Sequence, residues 1–481
     1  MSMLWTREEI GRATGASFQG DWSGVTGVSI DSRSVANGDL FVALKDQRDG
    51  HDFVGAALDA GAGAALVTHV PDGTTDSAPL AIVADAQAAL EAMARAARER
   101  SNAVVIAVTG SAGKTSTKEM LRVVLARQGL THAAERSFNN HWGVPLTLAR
   151  MPANTAFAII EIGMSNPGEI APLSLMARPD VAVITTIAAA HLEAFDDLAG
   201  IATEKADITA GLVPDGGKLI VCADVPEDAL AVLQRPMSSG HQRVWFGTDE
   251  GNDWQLTNVT QKAECSVIEA RLGGTGEAIF KLNAPGRHFA LNALGALAAV
   301  HAAGGDPVVA AHDLAAWQPP AGRGLREEIV LDIVHDEARL DLFDDAFNAN
   351  PASIAAALTV LADHKPRVAE TERPFRRVAI LGDMLELGPE EASLHADIAR
   401  LKTIKKMDVV HTVGPRMAHL HAALKPKRRG MHFDTAADAA SRAHELVRAG
   451  DAVLVKGSKG SYVSQVVDAI RKLGHREPTG T

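Results

Sequence analysis

Short apolar runs alternate along this chain with longer stretches in which apolar residues recur at helical spacing. Residues 103–108, AVVIAV, form one such run. KEMLRVVLARQGL at 118–130 follows, with Met120, Leu121, Val124 and Leu125 on one helical face. Further strand candidates lie at 157–162, 181–187 and 219–222, with helical stretches between them. This alternation predicts a parallel sheet with crossover helices, whose ligands gather at the C-terminal ends of the strands. Around 254–282 the runs shorten and a glycine turn at 273–276 separates two of them, which predicts an antiparallel addition. Residues 286–304, rich in Ala and Leu, predict a helix.

Two further units flank this one. In the first, residues 29–44 read SIDSRSVANGDLFVAL and predict two short strands around a turn at Asn37 and Gly38. HDFVGAALDAGAGAALV then predicts a helix running into a strand. Pro319, Pro320, Gly322 and Gly324 mark a linker into the third unit. That unit has strand candidates at 329–334, 340–343, 378–381, 409–413 and 452–455, and helical stretches at 351–362, 390–401, 436–448 and 461–473. The basic stretch 424–429 reads as a solvated loop and 364–376 as a surface loop. The fold class is therefore α/β in three domains. Residues 1–100 form an N-terminal α/β domain, 101–317 a central parallel-sheet domain, and 318–481 a Rossmann-like domain. The last lacks GxGxxG, so a dinucleotide site is not supported.

Composition narrows the function classes. At 481 residues the prior is about three domains. A net charge of −12 argues against general nucleic-acid binding. Two cysteines, Cys222 and Cys265, make no disulfide framework and fit a reducing compartment. The N-terminus has no signal-peptide pattern, and no apolar run is long enough to span a membrane, so the expectation is a soluble cytoplasmic protein.

The chemistry starts at TGSAGKTST, residues 109–117, between the apolar run and its helix. Gly110, Ser111, Ala112 and Gly113 would bring backbone N–H groups to phosphate at a helix N-terminus. Lys114 would reach the terminal phosphates, the Thr115 hydroxyl would hold Mg²⁺, and Ser116 completes the loop. Only two residues separate Gly110 from Gly113, where the general Walker pattern has four before its GK. Glu161 ends the strand FAIIEIG, a good place for a Mg²⁺ ligand or for a capping acid. His191 follows another strand, as ligand or as structural histidine. Lys205, in IATEKADI, reads from its residues alone as a solvent-facing lysine. Asp344 and Asp345 precede FNANP and suit ribose or metal contacts, or an Asx-turn and helix cap. KGSKG at 456–460 suits an anion cradle or a capped loop. Ser32 and Arg33 in DSR read most simply as surface polar residues forming a salt bridge.

Taken together, these segments resemble the Mur ligase family across nearly the whole chain. The glycine loop, EIGM at 161–164, AHLE at 190–193, IATEKADI, PGRHFALNAL at 285–294, GR at 322–323 and DDAFNANP at 344–351 occur in that family's order. FNNHWGVPLTL at 138–148, EIGMSNPGEI at 161–170, FNANP and LGDMLELG at 381–388 are similar to the branch acting on D-alanyl-D-alanine. The resemblance implies that Lys114 and Thr115 meet phosphate and Mg²⁺, with Glu161 and His191 as Mg²⁺ ligands. Lys205 matches the family's carbamylated lysine. Asn292 matches an asparagine near the adenine, Arg323 an arginine that meets ATP, and Asp345 an aspartate at the ribose. Ser32 and Arg33 fall at the UDP end of the substrate, and Asn139 and Asn140 in a loop facing the central cleft. Two places depart from the family. Thr186-Ile187-Ala188 stands for Asn-Ile-Gly, and Ala346 and Phe347 stand for Ser and Tyr, so no role is carried onto those positions.

The activity so implied is ATP-dependent amide formation through an acyl phosphate. Its cofactors would be ATP and two Mg²⁺ ions, its partners UDP-N-acetylmuramoyl-tripeptide and D-alanyl-D-alanine, and its state a monomer. A sibling ligase adding one amino acid, a folylpolyglutamate-type ligase and a nucleotide switch are the competing readings. Lys114, His191, Lys205 and Arg323 are the expected catalytic residues.

Overall fold

A computed structural model describes residues 3–238, 240–262, 264–332, 338–365 and 375–474. At its centre lies the strand Val104–Thr109. Ile106 and Val108 face one buried layer, with Met120, Leu121, Val124 and Leu125 of the helix Lys114–Leu125 and Leu294 of the helix Arg287–Ala302. Val105 and Ala107 face the other, with Leu148 of the helix Gly143–Ala149, Ile170 of the helix Ile170–Ala177 and Ile201 of the helix Leu198–Ala206. A strand covered on both faces needs apolar residues at every position, hence the unbroken run.

The central sheet runs, in spatial order, Thr131–Ala133, Phe157–Glu161, Val104–Thr109, Val181–Ile184, Lys218–Cys222, Gln242–Gly247, Trp254–Gln261, Ser266–Leu272 and Gly276–Leu282. Pairing is parallel as far as Trp254–Gln261 and antiparallel beyond, as expected. Thr131–Ala133 and Gln242–Gly247 carry too little apolar pattern to be read from sequence. The first is a three-residue edge strand, and the second begins with an exposed glutamine and a half-buried arginine.

Of the two short strands expected around the turn at 29–44, Asp39–Val42 forms within the stretch and the other, Gly27–Ser29, ends where the stretch begins. Gly27–Ser29 and Asp39–Val42 pair in parallel within a five-stranded sheet. The Asn37-Gly38 turn exists, with Gly38 at φ +87°, and it closes a crossover. Asp31 starts a 3-10 turn by accepting from Arg33 N, and Asp39 accepts from Ala36 N. These side-chain bonds turn the chain sideways before the second strand begins.

The third sheet runs Leu325–Val330, Arg339–Asp345, Asp451–Lys456, Arg376–Gly382, Val409–Val413 and Arg429–Phe433. It is parallel apart from its first pair. The solvated loop read at 424–429 is there, with Lys425, Pro426, Lys427 and Arg429 exposed. Pro426–Arg428 is a 3-10 turn, Arg429 opens an edge strand, and the Arg428 and Arg429 guanidiniums bond to backbone carbonyls. Residues 366–374 of the expected surface loop, and 333–334 of the expected strand, lie outside the described residues.

The two boundaries differ in kind. The N-terminal core takes in Leu146 and Ala149 of the central unit, and Trp5 donates from its indole N–H to Ala149 O at 2.8 Å. Arg100 stacks on the Trp5 ring at 3.7 Å, and Arg150 donates to Val28 O. The two apolar clusters of the third unit draw only on its own residues. That unit meets the central one through loops and polar side chains, such as Arg326 with Glu264 at 3.3 Å. Among the described residues no helix is long and apolar enough to cross a membrane.

Candidate active site

The strand Val104–Thr109 delivers the chain to the glycine loop. Gly110 has φ +150° and Gly113 φ +84°. A Cβ on Gly110 would collide with Thr185 Oγ1, and one on Gly113 would lie 2.6 Å from Asn292 Oδ1. The loop is thus clamped between a neighbouring strand end and the helix that carries Asn292. Thr185 Oγ1 donates to Ala112 O at 2.5 Å, and Ser111 N donates to Thr186 O at 2.9 Å. Lys114 Nζ donates to Gly110 O at 2.6 Å. Burial holds its pKa below the ordinary lysine value; Glu161 opposes the shift and Arg323 adds to it.

Glu161 is the hub of the oxygen-rich corner. Its Oε2 accepts from Thr115 Oγ1 at 2.9 Å, and its Oε1 from Ser137 Oγ at 2.6 Å and Asn139 Nδ2 at 2.8 Å. Asn139 reaches it because Gly163 leaves room, since a Cβ there would lie 2.8 Å from the amide carbon. Asn140 faces the same cavity, but its Oδ1 accepts from Trp142 N and Gly143 N at the start of the next helix. Lys118, fully buried, donates to Ala134 O at 2.6 Å and Arg136 O at 3.3 Å, which fixes the approach to Ser137.

The third unit supplies the facing wall. Asp345 accepts from Lys456 Nζ at 2.8 Å, and burial raises its pKa despite that partner. Asp344 turns away to Arg471 at 2.8 Å and accepts from Gly322 N. Asn350 caps the helix Pro351–Asp363 through a reciprocal box with Ser353. Within KGSKG, Ser458 Oγ donates to Ala349 O and accepts from Leu385 N. Arg323 lies over the Phe347 ring at 4.1 Å, and burial lowers its pKa. His288, at the foot of the helix Arg287–Ala302, is held to a pKa of about 4 by burial and by Lys456.

Together these walls enclose a cavity of about 410 Å³. It is lined by Ser111, Lys114, Asn139, Glu161, His191 and Asn292 on one side and by Arg323, Asp345, Phe347 and Lys456 on the other. Thr115 lies just behind this surface. Lys205 does too, 1 % exposed on the helix Leu198–Ala206, which corrects its reading as solvent-facing. Its amine has no hydrogen-bond partner among the described residues. Burial and the Lys114 charge hold its pKa well below the ordinary lysine value, with Glu204 opposing. His191 lines the cavity and turns Nδ1 to Glu386 of the third unit. Ser32 and Arg33 lie outside it. Arg33 forks onto Asp31 at 2.9 and 2.8 Å, the surface pair that its residues suggested.

The donor set suits Mg²⁺. Thr115 and Glu161 offer hard oxygens, with space for phosphate oxygens and water. Among the described residues no three His, Cys, Asp or Glu side chains form a cage. The buried Lys205 amine, with no hydrogen-bond partner among the described residues, leaves room for the carbamate that the resemblance implies. Sequence reasoning missed Ser137, Thr185 and Glu386, while Lys456 fell within the KGSKG stretch it had singled out. The serine of SFNN, two positions before Asn139, was the one signal within reach.

Three family models match the chain. They are described as Mur ligase family, catalytic domain (residues 24–121), Mur ligase middle domain (108–300), and Mur ligase, glutamate ligase domain (331–459). Among curated proteins, a UDP-N-acetylmuramoyl-tripeptide–D-alanyl-D-alanine ligase of Bacillus subtilis is 35% identical over 463 residues, covering 95% of this chain and 96% of that protein. The Escherichia coli protein of the same name is 35% identical over 452 residues, covering 93% and 94%. Among solved structures, MurF from Acinetobacter baumannii superposes with a TM-score of 0.80 at 28% identity, covering 97% of this chain and 99% of that one. MurF ligase from Thermotoga maritima in complex with ADP gives 0.74 at 25%, covering 93% and 97%. With its three units matched in order and full-length relatives above a third identical, the chain belongs to the Mur ligase family.

Proposed function

We propose that this ligase joins D-alanyl-D-alanine to UDP-N-acetylmuramoyl-tripeptide, driven by ATP, to give the UDP-linked pentapeptide used for peptidoglycan. The observation that carries the chemistry is the convergence of Lys114 and Glu161 from the central unit with Arg323 and Asp345 from the third on one cavity. The full-length curated relatives carry the choice of substrates.

A carboxylate is a poor electrophile. The terminal carboxylate of the tripeptide attacks the γ-phosphate, ADP leaves, and an acyl phosphate results. The free amine of the dipeptide then attacks the acyl carbon, phosphate departs, and the amide nitrogen loses its proton. The glycine-loop N–H groups of residues 110–116 hold the phosphates, and Lys114 and Arg323 offset charge on the transferring group. Lys114 must release Gly110 O to do so. Asn292 is assigned to the adenine side and Asp345 to the ribose. Thr115 and Glu161 would hold one Mg²⁺, and His191 with carbamylated Lys205 a second. Bound Mg²⁺ supplies Lewis-acid charge on the phosphate oxygens. Two anions about 4 Å apart at intermediate dielectric repel by about 4 kcal/mol, the barrier that this cationic environment offsets. Asn139 orients Glu161, and Asn140 fixes the loop beside it. Ser32 and Arg33 are assigned to the UDP end, with Arg33 exchanging Asp31 for the diphosphate. ATP and a UDP-linked substrate place the reaction in the cytoplasm, and one copy of the chain completes the cavity.

Phosphate release from ATP, measured with UDP-N-acetylmuramoyl-tripeptide with and without D-alanyl-D-alanine, tests this when product mass is read alongside. Release that needs both, with the pentapeptide mass, is expected. Release that answers to a single amino acid would move the chain to a sibling ligase.

A further inference from the structure

We propose that Phe347 is the positioning residue for Arg323, holding the guanidinium aimed into the phosphate cavity without occupying its donors. The proposal rests on the reading of Arg323 as a nucleotide-binding arginine. Arg323 is largely enclosed by protein and lies within the fields of Glu161, Glu119 and Lys114 of the central unit and of Asp345 of its own. Its side chain nevertheless makes no hydrogen bond or ion pair with any described residue. It is held by an aromatic face, with Cζ 4.1 Å from the Phe347 ring centroid.

The backbone builds this stack. Phe347 N donates to Gly322 O at 3.0 Å, and Gly324 N donates to Asp344 O at 2.8 Å. Gly322 N donates to Asp344 Oδ2 at 3.1 Å. The turn that carries Arg323 is thus stapled on both sides to the segment that carries Phe347. Gly322 stands at φ +75°, and a Cβ there would lie 3.1 Å from Phe347 Cβ, so the approach of turn to ring requires glycine. Lys459 Nζ lies 6.0 Å from the same ring centroid, so two cations lie near one aromatic ring.

The choice of partner has a chemical consequence. A carboxylate would fix the guanidinium as firmly, but it would take up N–H donors and cancel the charge. A ring attracts the cation through its quadrupole and leaves all five N–H donors for phosphate oxygens. Phe347 stands where a hydroxylated ring is usual in the family. The stack needs only the ring, so the loss of the hydroxyl leaves it intact.

The test is a substitution series read by kcat, the KM for ATP, the Kd of a non-hydrolysable ATP analogue, and melting temperature. Phe347→Tyr and Phe347→Trp are expected to stay within about twofold of wild type. Phe347→Leu, which keeps an apolar side chain but loses the ring, is expected to lower kcat/KM for ATP about 3- to 30-fold at unchanged melting temperature. Phe347→Met serves if the leucine variant melts early. In an Arg323→Ala background the leucine change is expected to cost nothing further. A leucine variant equal to wild type, or equally impaired with and without Arg323, overturns the proposal while leaving the role of Arg323 standing. An Arg323→Ala protein indistinguishable from wild type overturns both.

Discussion

His191 Nδ1 lies 2.5 Å from Glu386 Oε2, so a loop of the central unit is tied to a loop of the third. Both residues stand at φ +62°, a conformation that side chains adopt when their surroundings enforce it. Glu193 N donates to Glu386 O at 3.3 Å, and a Cβ on Gly388 would lie 3.1 Å from Leu192 O. The His191 imidazole beside it holds the Glu386 carboxyl below its ordinary pKa. A carboxylate that orients a functional imidazole is commonly worth about 10- to 100-fold in activity. Glu386→Ala is expected to lose that much turnover, and Glu386→Gln less because it keeps an acceptor. Steady-state kinetics beside a melting curve decide it, and full turnover in the alanine variant would remove the pair from the chemistry.

Gly110→Ala is expected to abolish tight nucleotide binding. The new methyl meets Thr185 Oγ1, the hydroxyl that clamps the loop through Ala112 O. Strain at such positions costs about 1–3 kcal/mol, and the loop has no slack to relieve it. Calorimetric titration with an ATP analogue measures the effect, and wild-type affinity would show that the clamp yields.

Glu161→Gln keeps the shape of the corner and removes its charge. Ser137 and Asn139 would both still seek the one remaining carbonyl oxygen. Turnover is expected to fall by about 100-fold or more, with partial recovery at raised Mg²⁺ and little change in melting temperature. Insensitivity to Mg²⁺ would place Glu161 outside the ion's site.

Lys205→Ala is expected to be nearly inactive and partly restored by a short-chain carboxylic acid that can occupy the space of the carbamate. Wild-type protein prepared without CO₂ should likewise gain activity when bicarbonate is added. Full activity in the alanine variant would end that role.

His411 sets an acid limit on stability. Its Nδ1 accepts from Met431 N at 3.0 Å, and burial, Arg376 and His421 hold its pKa to about 4. An unfolded chain binds this proton near pH 6.5, well before the folded one does. The stability associated with neutral His411 is therefore complete above pH 6.5 and drains as pH falls towards 4. His411→Asn retains an acceptor and cannot take up the proton. Urea unfolding from pH 7 to pH 4.5 should show a shallower decline for the variant than for wild type, and parallel declines would exclude the effect.

The glycine loop was legible because everything that defines it is local. Gly110, Lys114 and Thr115 sit within one turn of each other, between a run buried on both faces and a helix with one apolar face. The parallel sheet was legible for the same reason. The Asn37-Gly38 turn was legible too, but a turn sequence fixes a change of direction and not the sense of pairing, which Asp31 and Asp39 decide here. Lys205 shows the limit most plainly. A lysine next to a glutamate on a short helix reads as solvent-facing, and its burial depends on what packs around that helix. Glu386 was out of reach altogether, since its partner His191 lies in another unit. The resemblance supplied roles for His191 and Arg323, but not Glu386 or Phe347, the neighbours that hold them.

Trp5 is sunk into a core that includes Leu146 and Ala149, whereas among the described residues no apolar cluster bridges to the third unit. The molecule therefore has one seam and not two. Heat should take residues 1–317 apart as a single cooperative block and residues 318–474 as another. The glycine loop rides on the block and Arg323 on its partner, so under the proposed function a bound nucleotide would straddle the seam. Whatever binds there would then be the mortar of the joint.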